Sequence, residues 1–152
     1  MDGSQIGILI AIIVCVLFSG YFSGAEMAFT SVNKIRLLNM SQDGNKRAGT
    51  VLKLTGNFDK LLSTILVGNN IVNILSASLG TLFFGRLITS DAGLSTTIST
   101  IVMTVTVLIF GEITPKMFAK ENPEKYAMLF YPLLRVLMVV LTPINLVFGG
   151  WK

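Results

Sequence analysis

Glu112 stands at the end of a long apolar run, preceded by Gly111 and followed three positions later by Pro115. An ionisable side chain at membrane depth is expensive, so by default it faces a bundle interior or a water-filled cavity and marks an ion or substrate path. Pro115 has no N–H to bond the carbonyl four residues back, which is that of Gly111. A freed backbone oxygen is therefore expected beside a carboxylate, at a break in the helix. Freed carbonyls at such breaks coordinate cations in transporters. Two further polar groups could complete a site. Ser19, Ser23 and Glu26 fall on one helical stripe. Asn69, Asn70 and Asn73 concentrate three amides within five residues, Asn70 and Asn73 being expected to share a face with Asn69 beside them.

The donors in these groups are all oxygen: hydroxyl, amide, backbone carbonyl and carboxylate. Such a set suits hard cations such as Mg²⁺ and Ca²⁺, whereas zinc, copper and iron sites recruit imidazole or thiolate. The chain has no His, and its single Cys15 lies inside an apolar run, so neither a disulfide framework nor a thiolate cluster is available. A dehydrated Mg²⁺ wants about six oxygens at roughly 2.1 Å, which several helices must supply together. One carboxylate would leave net positive charge and favour modest affinity. Each residue also has a plainer use. Glu112 could be protonated or paired with Lys116 one turn on; helical serines bond back to the preceding turn; asparagines join membrane helices by hydrogen bonds; Glu26 could be a rim acid. An intramembrane hydrolase is not expected, because there is no His and Asp2, Asp43, Asp59 and Asp91 all lie outside the apolar runs.

The elements that must position these groups are membrane helices. Hydrophobic residues make up 52% of the chain, charged residues only 13%, and the mean hydropathy is +0.72, beyond an ordinary soluble fold. The expected fold is an all-α integral membrane domain with three spans, at residues 6–29, 61–84 and 94–114. The net charge of +4 does not point to nucleic acid, because the basic residues cluster between the apolar runs, as orientation signals do. Lys34, Arg36, Lys46, Arg47 and Lys53 hold the first loop inside, and Lys116, Lys120 and Lys125 do the same after the third span. The N-terminus is thus expected outside and the C-terminus in the cytoplasm of a multi-pass cell-membrane protein. Residues 31–55 read as two short amphipathic helices at the lipid interface, broken near Asp43-Gly-Asn45. Residues 126–150, interrupted by Pro132 and Pro143, read as an interfacial belt helix in contact with lipid and not as a fourth crossing. Gly20, Gly24 and Pro115 are candidate hinges, the glycines also inviting close helix approach or a local bulge. Ser76, Ala77, Ser78 and Gly80 offer a small-residue packing surface.

Three motifs in order carry a resemblance: Ser23-Gly-Ala-Glu-Met-Ala-Phe29 in the first span, Val67-Gly-Asn-Asn-Ile-Val-Asn73 in the second and Gly111-Glu-Ile-Thr-Pro-Lys116 closing the third. Together they resemble the transmembrane domain of the CorC and cyclin M family over essentially the whole chain. The resemblance implies magnesium transport, with export coupled to Na⁺ entry, by a homodimer of three spans per subunit with a cytoplasmic belt. It also implies a nucleotide-binding CBS-pair module and a further soluble domain in the full-length protein, neither of which is among these residues. Carried over residue by residue, the implied Mg²⁺ site comprises Ser19, Ser23, Asn70, Gly111 and Glu112. Glu26, Asn69 and Asn73 are expected one layer out, supporting the ligands or a coupling ion. The competing expectation is a membrane anchor or dimerisation domain that positions regulatory cytosolic domains and has no transport activity of its own.

Overall fold

The computed structural model describes residues 3–140, and every regular element among them is helical. Three helices are long and apolar enough to cross a membrane: α1 (Gly3–Ser31), α4 (Phe58–Leu87) and a continuous third helix, Ala92–Glu121. At about 1.5 Å per residue, each is about 45 Å long and exceeds the roughly 30 Å hydrocarbon core. The third helix has three parts: α5 (Ala92–Thr106), a seven-residue π segment (Val107–Ile113) and α6 (Thr114–Glu121). Between α1 and α4 lie two short helices, α2 (Lys34–Gln42) and α3 (Lys46–Thr55). The chain described ends in α7 (Pro123–Val140).

Local chemistry sets the boundaries. The Asn33 side chain accepts from the amides of Ile35 and Arg36 and so caps α2, and Asn45 caps α3 through the Ala48 amide. Between them Gly44 takes φ +101°, a left-handed turn that glycine adopts without a Cβ penalty. Asp91 caps α5 through Gly93 and Leu94.

α1 packs along α4 and along the π segment and α6, while α4 also packs against α5. At the basic end of the bundle, α2, α3 and α7 close over these helices. One continuous core results there, including Phe22, Phe29, Leu37, Val51, Leu61, Ile65, Ala127 and Leu134. An ion pair between Arg36 and Glu124 (3.4 Å) ties α2 to the first turn of α7, and the Tyr21 hydroxyl donates to the Phe130 carbonyl, joining α1 to α7. At the far end the core is a small cluster of Ile12, Val16, Phe83 and Met103. Exposed Ile10, Leu17, Ile74, Ile101 and Phe110 present apolar surface for lipid.

Two expectations need correction. The third span is not broken at Gly111 and Glu112. The Thr114 amide bonds the Ile109 carbonyl, five residues back, so the helix widens by one residue and continues, with Pro115 in the first turn of α6, where a missing N–H is tolerated. Nor does Pro132 interrupt α7, which runs from Pro123 to Val140 through it. There, buried Ala127, Leu134 and Met138 hold the helix against the core, offsetting the lost hydrogen bond. The part of the belt expected beyond Val140 lies outside the described residues.

The π segment also sets which face meets α1. Met103, Gly111 and Ala119 are all buried, although sixteen residues of α-helix would turn the last about 160° away from the first. The wider turn removes most of that drift and keeps one stripe of the third helix inward.

Candidate cation site

Ser19 is fully buried on α1, where α1 meets α4 and the π segment. Its hydroxyl lies 2.8 Å from Asn73 Oδ1, 3.3 Å from Asn69 Oδ1 and 3.5 Å from the Gly111 carbonyl oxygen. The Asn73 amide nitrogen donates to Asn69 Oδ1 at 3.5 Å. Four oxygens from three elements thus meet around one hydroxyl proton and one amide donor. The Ser19 proton can serve only one of the three acceptors at a time, which leaves lone pairs that a cation can engage. Octahedral coordination with oxygens at about 2.1 Å puts neighbouring oxygens about 3.0 Å apart, and at about 2.4 Å, about 3.4 Å apart. The three separations from Ser19, 2.8, 3.3 and 3.5 Å, lie in the range of those edges as well as of ordinary hydrogen bonds.

Close approach makes the node possible. A Cβ on Gly111 would come within 2.8 Å of Ser19 Oγ, and one on Gly20 would lie 3.1 Å from Pro115 Cγ and 3.2 Å from the Phe110 carbonyl oxygen. Gly24 faces Pro115 and Phe130 in the same way. Both glycines therefore serve contact with the third helix, and α1 passes through them as unbroken α-helix without a bulge. The π register moves the orphaned oxygen as well. Thr114 spends its amide on Ile109 and Pro115 has none, so the Phe110 carbonyl loses both the donor four residues on and the donor five on. The carbonyl expected to be freed, that of Gly111, faces Ser19.

One turn along α1, Ser23 is fully buried and its hydroxyl has no partner among the described residues; Ser76, one turn along α4 from Asn73, is in the same condition. A buried hydroxyl left without a partner costs about 1–3 kcal/mol, so both are available to a ligand or to water. Glu112 is half-buried and forms no ion pair with Lys116 among the described residues. With Asn73 it closes one end of a cavity of about 340 Å³ between α4 and α5. Glu26 is half-buried at the basic end of α1.

Asn70 is exposed on the surface of α4. The pair that reaches Ser19 is Asn69 and Asn73, spaced by four, so the expected Asn70 and Asn73 face is not the one turned to α1. The spacing was readable, because Asn69, Asn73, Ser76 and Gly80 follow one helical stripe. No signal in the sequence marked Met103, whose side chain occupies the space a Cβ on Gly80 would need. Clusters of three or more Cys, His, Asp or Glu that could hold a metal are absent among the described residues, so any cation here rests on neutral oxygens and at most one nearby carboxylate.

The transmembrane N-terminal domain of cyclin M matches residues 10–151. Over 129 residues the chain is 43% identical to the UPF0053 inner membrane protein YfjD of Escherichia coli, covering 83% of this chain and 29% of that one. It is 39% identical over 145 residues to a UPF0053 protein of Haemophilus influenzae, covering 95% and 34%. A DUF21 domain-containing chloroplastic protein of Arabidopsis thaliana is 32% identical over 145 residues, covering 91% and 20%. The chain therefore spans about a third or less of the length of these relatives. With its three membrane-crossing helices and this match over nearly all its length, the chain belongs to the cyclin M transmembrane N-terminal domain family.

Proposed function

We propose that this domain carries Mg²⁺ across the membrane, holding the ion between α1, α4 and the π segment. The observation that carries this reading is the acceptor surplus at Ser19, where oxygens of Asn69, Asn73 and Gly111 converge with one hydroxyl proton among them. In the proposed carrier the Ser19 hydroxyl turns its proton away and joins the two amide oxygens and the Gly111 carbonyl on the cation. Ser23 and Glu112 supply the next oxygens as the helices close, and Asn70 enters only if α4 rotates. Neutral ligands with one carboxylate hold the ion weakly enough to release it. Selection of Mg²⁺ among hard cations, export driven by Na⁺ entry, the homodimer, the outside N-terminus and a cytosolic CBS-pair module are carried from the family resemblance.

The second reading, an anchor that positions cytosolic domains, draws on the 2.8 Å Ser19–Asn73 bond, which would also serve as interhelical glue. The readings separate in one experiment. Thermal unfolding in detergent is followed against Mg²⁺, Ca²⁺, Na⁺ and Mn²⁺ for the wild type, Ser19→Ala and Glu112→Gln, together with Mg²⁺ flux in vesicles. A ligand that binds only the folded state stabilises it by about 2.7 kcal/mol at a hundred times Kd. The carrier reading expects a saturable rise with Mg²⁺, abolished by Ser19→Ala and weakened by Glu112→Gln, with flux falling in step. A flat response in a folded, monodisperse wild type would favour the anchor.

A further inference from the structure

The cavity that ends at Asn73 and Glu112 continues along α4 and α5 to Thr81 and Thr100, about 12 Å up α4 at about 1.5 Å per residue. We propose that this groove is a water-filled cation vestibule, in which Thr81, Ser99, Thr100 and Thr104 lead a partly hydrated divalent cation between the far end of the bundle and Asn73 and Glu112. The inference rests on the carrier reading and adds to it a route and the residues that line it.

Hydroxyl orientation is the first support. Thr81 donates to the Ala77 carbonyl (3.1 Å) and Thr100 to the Thr96 carbonyl (2.9 Å). A hydroxyl whose proton is spent on its own helix has only lone pairs left to offer, so these walls present acceptors. Thr96 likewise donates back to Ala92 in the first turn of α5 (3.0 Å), which extends the Thr96, Thr100, Thr104 ladder to the Asp91 cap. Among the described residues the lining contains no Lys or Arg, and its one charged group is Glu112. Acceptors at Thr81 and Thr100 and a carboxylate at the floor favour a cation over an anion in the groove.

Size agrees. Six waters occupy about 180 Å³ at about 30 Å³ each, so a cavity of about 340 Å³ admits an ion with its first shell intact. The ion would then exchange waters for hydroxyls progressively, which suits Mg²⁺ because it sheds water reluctantly.

A neighbouring groove provides an internal control. Between α1 and α5 lies a cavity of about 370 Å³ lined by Leu9, Val16, Phe83, Val102 and other apolar side chains, with Thr106 the one hydroxyl among its described lining residues. Met103 lines both cavities and separates the groove that carries the hydroxyls and Glu112 from the apolar one.

The test uses the chain in lipid nanodiscs with Cys15→Ser as background. Thr104→Cys and Thr100→Cys place a thiol in the proposed vestibule, and Val102→Cys places one in the apolar groove. Each is reacted with a cationic trimethylammonium thiosulfonate and an anionic sulfonate thiosulfonate. At least tenfold faster labelling of Thr104→Cys than of Val102→Cys is expected, with a several-fold preference for the cationic reagent that Glu112→Gln removes. Labelling of Thr104→Cys and Thr100→Cys as slow as that of Val102→Cys would overturn the proposal, since lipid or a second copy would then seal the groove. Equal rates with both reagents would also overturn it. Labelling does not depend on turnover, so fast, cation-selective labelling without Mg²⁺ flux would defeat the carrier reading while supporting the vestibule.

Discussion

The basic half and the far half of this bundle are made from the same three long helices, yet they are packed differently. At the basic end, α2, α3 and α7 add side chains to the seams between the long helices, and Leu37, Leu61, Ile65, Val51 and Leu134 are completely or almost completely enclosed. At the far end no further helix covers the seams among the described residues. Four buried side chains make the core, and two cavities open beside it. The candidate cation site lies where the two regimes meet. The difference teaches where movement is cheap: the far half can shift against lipid with few buried side chains to disturb, while the basic half would have to break a close-packed core.

The largest expected effect sharpens this contrast. Leu61→Ala should lower the unfolding free energy by about 2–5 kcal/mol, the usual cost of truncating a fully enclosed leucine. Met103→Ala should cost less than half as much, because its side chain already borders two cavities; both are read by unfolding in detergent. Equal losses would break the comparison. Next come two glycines. A Cβ on Gly68 would lie 2.5–3.1 Å from three ring atoms of Phe22, a side chain only 4% exposed, so Gly68→Ala should cost about 1–3 kcal/mol as an overpacked core does. A Cβ on Gly80 would lie 2.4 Å from Met103 Cγ and 2.9 Å from its Sδ, atoms in the middle of that side chain, so Gly80→Ala should cost about as much, while narrowing the α4–α5 groove and slowing labelling at Thr104→Cys. The last case is Arg36→Ala. The Arg36 side chain is 67% exposed, but its partner Glu124 is 6% exposed and Glu124 Oε2 has no hydrogen-bond partner among the described residues, so removing the cation strands a buried carboxylate and should cost about 1–3 kcal/mol. It should be visible mainly as faster amide exchange in the first turn of α7.

How much of this could be read beforehand depends on the kind of signal. The membrane helices announce themselves because twenty apolar residues admit few alternatives, and the asparagines at 33 and 45 mark helix starts by their own hydrogen bonds. The three motifs located the polar level of the bundle. The detail that hydropathy leaves open is rotation about each helix axis. Asn69, Asn70 and Asn73 have identical composition signals, and the packing of Phe22 against Gly68, a tertiary contact, helps set which of them turns inward. Pro115 and Pro132 were both readable as interruptions, yet each helix continues, because a π turn accommodates one and core packing holds the other. The hydroxyls of the α4–α5 groove form no motif, and their use emerges when the protons of Thr81 and Thr100 are traced to backbone carbonyls.

The π segment has a consequence that no side-chain substitution can imitate. Seven residues, Val107–Ile113, occupy its widened turn, and the extra length acts as one tooth in a gear, setting the angle at which everything downstream meets everything upstream. Removing a single residue there, Ile109 for example, would let the helix relax to ordinary pitch with its hydropathy almost unchanged. Fifteen α-helical residues would then carry Met103 to Ala119, leaving them about 60° apart, so α5 and α6 keep nearly the same faces inward. Such a shortened chain should still insert and remain helical by circular dichroism with its inward stripe kept, so a lost cation response in it would report the widened turn itself. In this domain the count of residues in one turn carries information of its own, independent of which residues they are.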